Sequence, residues 1–253
     1  MAGGKNYLDG IDISPSEAYK LFLADPDSFN TSSASPEECL QVFRQAAQKA
    51  ATVLCVTASN KLTTIYNAAT AAKELARNEL PDTRIEVMDS YLATPSEGMV
   101  ALAAAREAAT GKELPEVTSA AETVRSKVQT LVFLDTIRHV YRSGRIPKIA
   151  SQIGAALNIK PILTVSGTVH FAGMVRSRNQ GIDRILSMMQ SRVNGKPIHV
   201  SVMHAYAPEE AEKLKERVAA EFNCLEIWLS EFSPLMGYAC GTGTVGVAFY
   251  IGE

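Results

Sequence analysis

Val53-Leu54-Cys55-Val56-Thr57-Ala58-Ser59-Asn60-Lys61-Leu62-Thr63-Thr64 decides the architecture. Its first four residues form an apolar run bounded by turn signals, the remainder is a polar turn, and Tyr66–Arg77 follows as an alanine-rich helical stretch. Apolar run, turn and helix together open a crossover unit, the building block of a parallel sheet. The turn is crowded with hydroxyls and contains no carboxylate or histidine. Amides that open a helix beneath a strand end attract anions, because they are unpaired and sit at the positive end of the helix dipole. Thr31-Ser32-Ser33-Ala34-Ser35 and Cys240-Gly241-Thr242-Gly243-Thr244 are built from the same residue types. Any one of these turns is equally an ordinary cap, since Ser and Thr lead the N-cap preferences. Three together point to a site that holds an anionic group and does not transform it.

Outward from this stretch, the first half alternates strand and helix. Ser35-Pro36-Glu37-Glu38 has a hydroxyl N-cap, proline at the first helical position and glutamate three residues on, and Leu40, Phe43 and Ala47 then share one apolar face. Ser14-Pro15-Ser16-Glu17 repeats that start signal. Strands are expected at Val53–Val56 and Arg84–Met88, with helical periodicity at Glu97–Ala109 and Glu116–Val128. After about Ser126 the character changes. Leu131–Leu134, Pro161–Val165 and Val169–Val175 read as strands, with Ser166-Gly167 as the tight turn of a hairpin between the last two. Pro197–His204, a Pro208–Phe222 helix, Leu225–Leu229 and Val245–Tyr250 complete the pattern. The reading is α/β in two domains: an N-terminal parallel-sheet domain over residues 1–127 and a C-terminal mixed-sheet domain over 128–253.

A chain of 253 residues can bury a substantial core. A formal charge of −2 argues against a general nucleic-acid or membrane-surface binder, and no apolar run is long enough for a transmembrane helix. No secretory signal is recognisable at the N-terminus, and Cys39, Cys55, Cys224 and Cys240 lack C-x-x-C spacing, so buried thiols in a reducing cytoplasm are expected. Between Ile137 and Arg192 nine basic residues face one acid, Asp183. Such a segment suits a phosphate or an acidic protein face, though sparse aromatics deny it a base-stacking platform.

Catalytic patterns are weak. His204 follows an apolar run and could pair with a serine, but there is no G-x-S-x-G elbow; the alternative reading is a small-molecule enzyme of α/β architecture, such as a hydrolase using Ser59 and His204. Gly241-Thr242-Gly243-Thr244-Val245-Gly246 spells G-x-G-x-x-G but precedes a strand, where a dinucleotide fingerprint opens a helix. His139, His170 and His199 have no metal-ligand spacing.

In order along the chain, Asp9-Gly10-Ile11-Asp12-Ile13-Ser14, Thr31-Ser32 through Ser35-Pro36, Ser59-Asn60-Lys61-Leu62 with Tyr66-Asn67-Ala68-Ala69, Asp135-Thr136, Ser143-Gly144-Arg145-Ile146, Asn158-Ile159-Lys160-Pro161-Ile162-Leu163 and Arg176-Ser177-Arg178 resemble the DegV family. The resemblance spans essentially the whole chain and ends in Gly237 through Gly243 and Val247-Ala248-Phe249-Tyr250. It implies a cytoplasmic, non-catalytic protein of two domains that buries a long-chain fatty acid in a tunnel, with the carboxylate held by hydroxyls near the domain interface. It also implies a partner, the separate ATP-binding subunit of a bacterial fatty acid kinase, which phosphorylates the presented carboxylate for phospholipid synthesis. No cofactor, metal, nucleic acid or stable membrane insertion is implied. By motif, the threonine of T-S-Q-P-S falls on Thr31 and the hydroxyl of S-K-L-S-G/A-x-Y on Thr63, with Ser32 and Ser59 nearby; Thr64 replaces the small residue that follows. Arg145, Arg176 and Arg178 fall on the surface that meets the kinase. Against the pattern P-V-I-G-x-H-x-G-P-G, Ala239 stands where many members have histidine and Thr242 where they have proline. The family's N-terminal strand and D-S-x-x-D-L segment are not found ahead of Asp9, so a start upstream of Met1 is expected.

Overall fold

The computed structural model describes residues 1–137 and 159–252. Along the chain run α1 (Pro15–Ala24), α2 (Pro36–Ala47), β1 (Thr52–Thr57), α3 (Ile65–Glu79), β2 (Arg84–Asp89), α4 (Pro95–Ala109), α5 (Leu114–Lys127) and β3 (Gln129–Phe133). There follow β4 (Lys160–Ser166), β5 (Thr168–Val175), α6 (Arg178–Val193), β6 (Ile198–His204), α7 (Pro208–Glu221), β7 (Cys224–Glu231), α8 (Pro234–Cys240) and β8 (Val245–Ile251). The fold is α/β, with a separate sheet in each half.

The chain divides into two compact units. One comprises Met1–Thr31, Gln129–Val165 and Val169–Glu253; the other comprises Ser32–Val128 with the hairpin tip Ser166–Thr168. Met1–Thr31, which the sequence reading assigns to the N-terminal domain, thus packs with the C-terminal sheet. The reason is visible at Tyr19 of α1, which is buried, donates its hydroxyl to the Phe232 carbonyl at 3.1 Å and stacks on Tyr206.

In the Ser32–Val128 unit, β1 and β2 pair in parallel, from Thr52 opposite Arg84 to Thr57 opposite Asp89. The α2 start is a full capping box: the Ser35 hydroxyl accepts from the Glu38 amide, and the Glu38 carboxylate accepts from the Ser35 amide at 2.6 Å. Leu40 and Phe43 of α2 are thereby turned onto the small residues Ala69, Ala72 and Ala76 of α3 and onto Ile85 of β2. Alanines on the facing helix let the two backbones approach, so a modest core excludes water over both helices.

The other unit is built on a six-stranded mixed sheet in the order β5-β4-β3-β8-β6-β7, in which β6 and β7 are parallel and β8 runs antiparallel to both β3 and β6. Leu131, Phe133, Val200, Val202, Val247 and Phe249 line one face beneath Ile185, Leu186 and Met189 of α6 and Leu214 and Val218 of α7. Helix α6 is absent from the sequence reading, which takes its segment only as a basic patch. Ser177 caps it, accepting from the Gln180 amide, and Asn194 ends it in the left-handed region at φ 48°.

Candidate functional site

The turn between β1 and α3 is held from below by backbone. Ser59 is fully buried; its amide donates to the Leu92 carbonyl at 2.8 Å and its hydroxyl donates to the Gly167 carbonyl at the hairpin tip. The Leu62 and Thr63 amides close back on the Ser59 carbonyl at 3.0 and 3.2 Å. Asp89 at the end of β2 ties the neighbouring strand end to the same turn, since its carboxylate accepts from the Asn60 amide at 3.3 Å and the Tyr91 amide at 2.8 Å. Tyr91 lies in the left-handed region at φ 56°, and its carbonyl accepts from the Gly167 amide at 2.7 Å. A residue in that region costs about 1–3 kcal/mol and persists only where its surroundings over-determine it. Here both of its peptide groups are bonded, and the Arg125 guanidinium lies 5.4 Å above its ring.

On this base the hydroxyls of the first two sequence turns meet. The Ser33 and Thr63 hydroxyl oxygens are 2.7 Å apart. Thr64 occupies the N-cap position of α3 but makes no side-chain cap, so the amides of the first turn of that helix receive no oxygen from it. Capping, the ordinary role of Ser and Thr at such a place, is fulfilled by Ser35 on α2 and not by Thr64 on α3. The side chains of Thr31 and Ser32 make no hydrogen bond among the described residues. Ser59 belongs to the scaffold of the turn. Ser33 lies inside the first turn but is not picked out by sequence, because its partner is thirty positions away.

The third turn is spent on its own framework. The buried Thr244 hydroxyl donates to the Cys240 carbonyl at 3.1 Å, and the Gly243 amide donates to Ala205 at 2.8 Å. Gly243 has φ 83°, and a Cβ there would stand 3.1 Å from Arg178 Nη2, which donates to the Gly243 carbonyl at 2.9 Å. Arg178 also pairs with Asp135 at 3.3 Å, and Lys160 bonds that carboxylate at 2.6 Å. Burial alone would raise the Asp135 carboxyl; the Lys160 hydrogen bond and the two positive charges hold it below its ordinary range. Arg178 Nη1 is buried without a hydrogen-bond acceptor, and the guanidinium carbon lies 5.6 Å from the Phe133 ring centre, within cation–π range. Arg178 is therefore committed internally, with a side chain only 24% exposed. Arg176 is exposed and has no ion-pair partner among the described residues; Arg145 lies outside them.

The pairing of Ser59 with His204 finds no support in their surroundings. The Ser59 hydroxyl is bonded to Gly167, and His204 Nδ1 accepts from the Ala207 amide at 3.3 Å, which leaves the proton on Nε2. Burial lowers the His204 pKa below its ordinary value, with Glu231 opposing, which favours the neutral ring. Among the described residues no group of three or more His, Cys, Asp or Glu side chains could hold a metal ion, and no helix is long and apolar enough to cross a membrane.

One acidic residue stands out that sequence does not flag. Glu97, in the first turn of α4, is pushed up to about 7 by burial, with the Asp89 charge adding to the effect. Its position three residues into a helix reads as an ordinary first-turn acid. Further along the same unit, a groove of about 420 Å³ lies between β2 and α5, walled by Leu54, Met88, Tyr91, Leu114 and Arg125.

The DegV family model, described as an uncharacterised protein family, matches residues 1–252. A DegV domain-containing protein of Caldanaerobacter subterraneus is 29% identical over 248 residues, which cover 97% of this chain and 87% of that relative. Among solved structures, a DegV family protein from Thermus thermophilus described by its fatty acid binding shares 27% identity at a TM-score of 0.87, covering 99% of this chain and 89% of that one. The Bacillus subtilis protein described as DegV, a fatty acid binding protein, matches at a TM-score of 0.89 with 22% identity, covering 100% of this chain and 89% of that one.

Proposed function

The chain belongs to the DegV family, and from that footing we propose that it binds a long-chain fatty acid and presents the carboxylate to a separate ATP-binding fatty acid kinase subunit. The observation that carries this reading is the Ser33–Thr63 hydroxyl contact beside an α3 start that its own N-cap residue leaves open. Donors of this kind hold a carboxylate without acting on it: there is a positive dipole end, there are hydroxyl protons, and among the described residues no imidazole or carboxylate is bonded to them. Thr63 and Thr64 face the head group, Thr31 and Ser32 supply further hydroxyls, and Ser59 fixes the turn that carries them. The alkyl chain occupies an apolar tunnel. Each buried methylene is worth about 0.8 kcal/mol, against about 1.5–3 kcal/mol for a charge-assisted hydrogen bond, so the chain supplies most of the affinity and the hydroxyls supply orientation.

Arg176 belongs to the surface that meets the kinase, together with Arg145. Arg176, exposed and with no ion-pair partner among the described residues, would steer an acidic face without holding the lipid. Arg178 contributes to that surface only through the shape of the loop it clamps.

Protein produced in bacteria is expected to carry fatty acid in roughly stoichiometric amount, read by native mass spectrometry and by extraction after denaturation. A folded sample that contains none and takes up none on incubation with palmitate or oleate would end this reading.

A further inference from the structure

We propose that Ser33 is a positioning residue for the ligand head group: its hydroxyl donates to Thr63 Oγ1 and thereby turns the single Thr63 proton outward, toward the bound carboxylate. The inference rests on the fatty-acid reading and names the residue that orients it.

A hydroxyl carries one proton and two lone pairs. At 2.7 Å, Ser33 and Thr63 must share one proton along their line, so one of them donates and the other accepts. If Thr63 donates to Ser33, its only proton is spent and it meets a carboxylate with lone pairs alone, which repel. If Ser33 donates, Thr63 retains its proton for the ligand. A carboxylate is an acceptor only, so its arrival selects the second arrangement and sets a chain from Ser33 to Thr63 to the ligand. Successive donors in such a chain polarise one another, which strengthens the last bond.

The neighbours support this assignment. Ser35 accepts from the Glu38 amide and donates to the Glu38 carboxylate at 2.7 Å, so it is fully used in the cap of α2. The Thr63 amide is engaged with the Ser59 carbonyl, so the residue is pinned at its backbone, while among the described residues its side chain bonds to Ser33 alone. Ser33 caps no helix, since Ser35 takes the N-cap of α2, and among the described residues its side chain bonds only to the hydroxyl of the other turn.

The test compares palmitate with 1-hexadecanol, which has the same chain length and a head group that can accept or donate. Ser33→Ala is expected to weaken palmitate binding by about three- to tenfold, the scale of one oriented hydrogen bond, and to leave hexadecanol within about twofold. Ser33→Thr, which keeps the hydroxyl, is expected to restore palmitate affinity. In a Thr63→Val background Ser33→Ala is expected to have no further effect, because Ser33 acts only through Thr63. Retained hexadecanol binding and an unchanged melting temperature report that Ser33→Ala is folded. If wild type binds palmitate and Ser33→Ala binds it equally, or loses both ligands alike, or adds its effect in full to Thr63→Val, the positioning role is overturned while the fatty-acid reading stands. If wild type binds no palmitate, both fall.

Discussion

In the proposed site Thr31 and Thr63 would each reach the head group through one oxygen, and valine is nearly the same shape without it. Thr31→Val and Thr63→Val are each expected to weaken fatty-acid binding by about 1–3 kcal/mol without unfolding the protein, measured by displacement of a fluorescent fatty acid. If both hold one carboxylate, the double variant should lose less than the two singles combined. Unchanged affinity in the double variant would remove both from the site. Glu97 makes a different kind of prediction. Its folded pKa is raised from 4.5 to about 7, so the folded state keeps a proton that the unfolded chain gives up. The resulting stabilisation is complete below pH 4.5, falls as pH rises, and is gone above about 7. Urea midpoints at pH 5 and pH 8 should therefore differ, and Glu97→Gln should be more stable than wild type at the higher pH by about 1–3 kcal/mol, allowing for partial solvent screening. A pH profile that Glu97→Gln leaves untouched would place the titration elsewhere.

At the scale of elements, α3 can be asked directly whether its open start serves a ligand. Aspartate at position 64 would cap the helix and place a negative charge where the carboxylate is proposed to sit. Thr64→Asp is expected to stabilise the protein by about 0.5–1 kcal/mol while lowering fatty-acid affinity severalfold. A gain in both would mean that the helix start and the ligand are unrelated. The elements themselves were largely legible. Ser14 and Ser35 both form the capping boxes that their spacing predicts, and Ser166-Gly167 turns between β4 and β5, with Gly167 at φ 69°. These are local signals, written within four residues of where they act. Helix α6 is equally local, with Ile182, Ile185, Leu186, Met189 and Val193 at helical spacing. It is hidden only when its arginines are weighed ahead of that periodicity. The turns of the site were legible as turns. Their meeting was not, because nothing near Ser33 encodes a partner on the far side of β1.

At the scale of the whole molecule, division of labour follows space and not chain order. Met1–Thr31 belongs with the C-terminal sheet although Ser32–Val128 intervenes in sequence. Tyr19 is the anchor: a Cβ on Gly237 of α8 would lie 2.1 Å from its ring, so helix and ring are in contact with no room for a side chain between them. Tyr19→Ala is expected to cost about 3–5 kcal/mol, with hydrogen-exchange protection lost first in α1, α8 and the Phe232 region. Uniform protection across those segments would mean that the N-terminal segment is held by other contacts.

The strand β8, which comes last among the described strands, lies between β3 and β6 in the middle of the six-stranded sheet. A ribosome delivers residues in order at about 5–20 per second, so β3 emerges on the order of ten seconds before the neighbour that will cover its inner edge. During that interval β3 and β6 each expose a row of unpaired peptide groups and the apolar residues that β8 will later sandwich. Nascent chains arrested ahead of Val245 should accordingly remain open to protease in both strands and recruit holdase chaperones. Release of β8 would convert a waiting chain into a protected one in a single step.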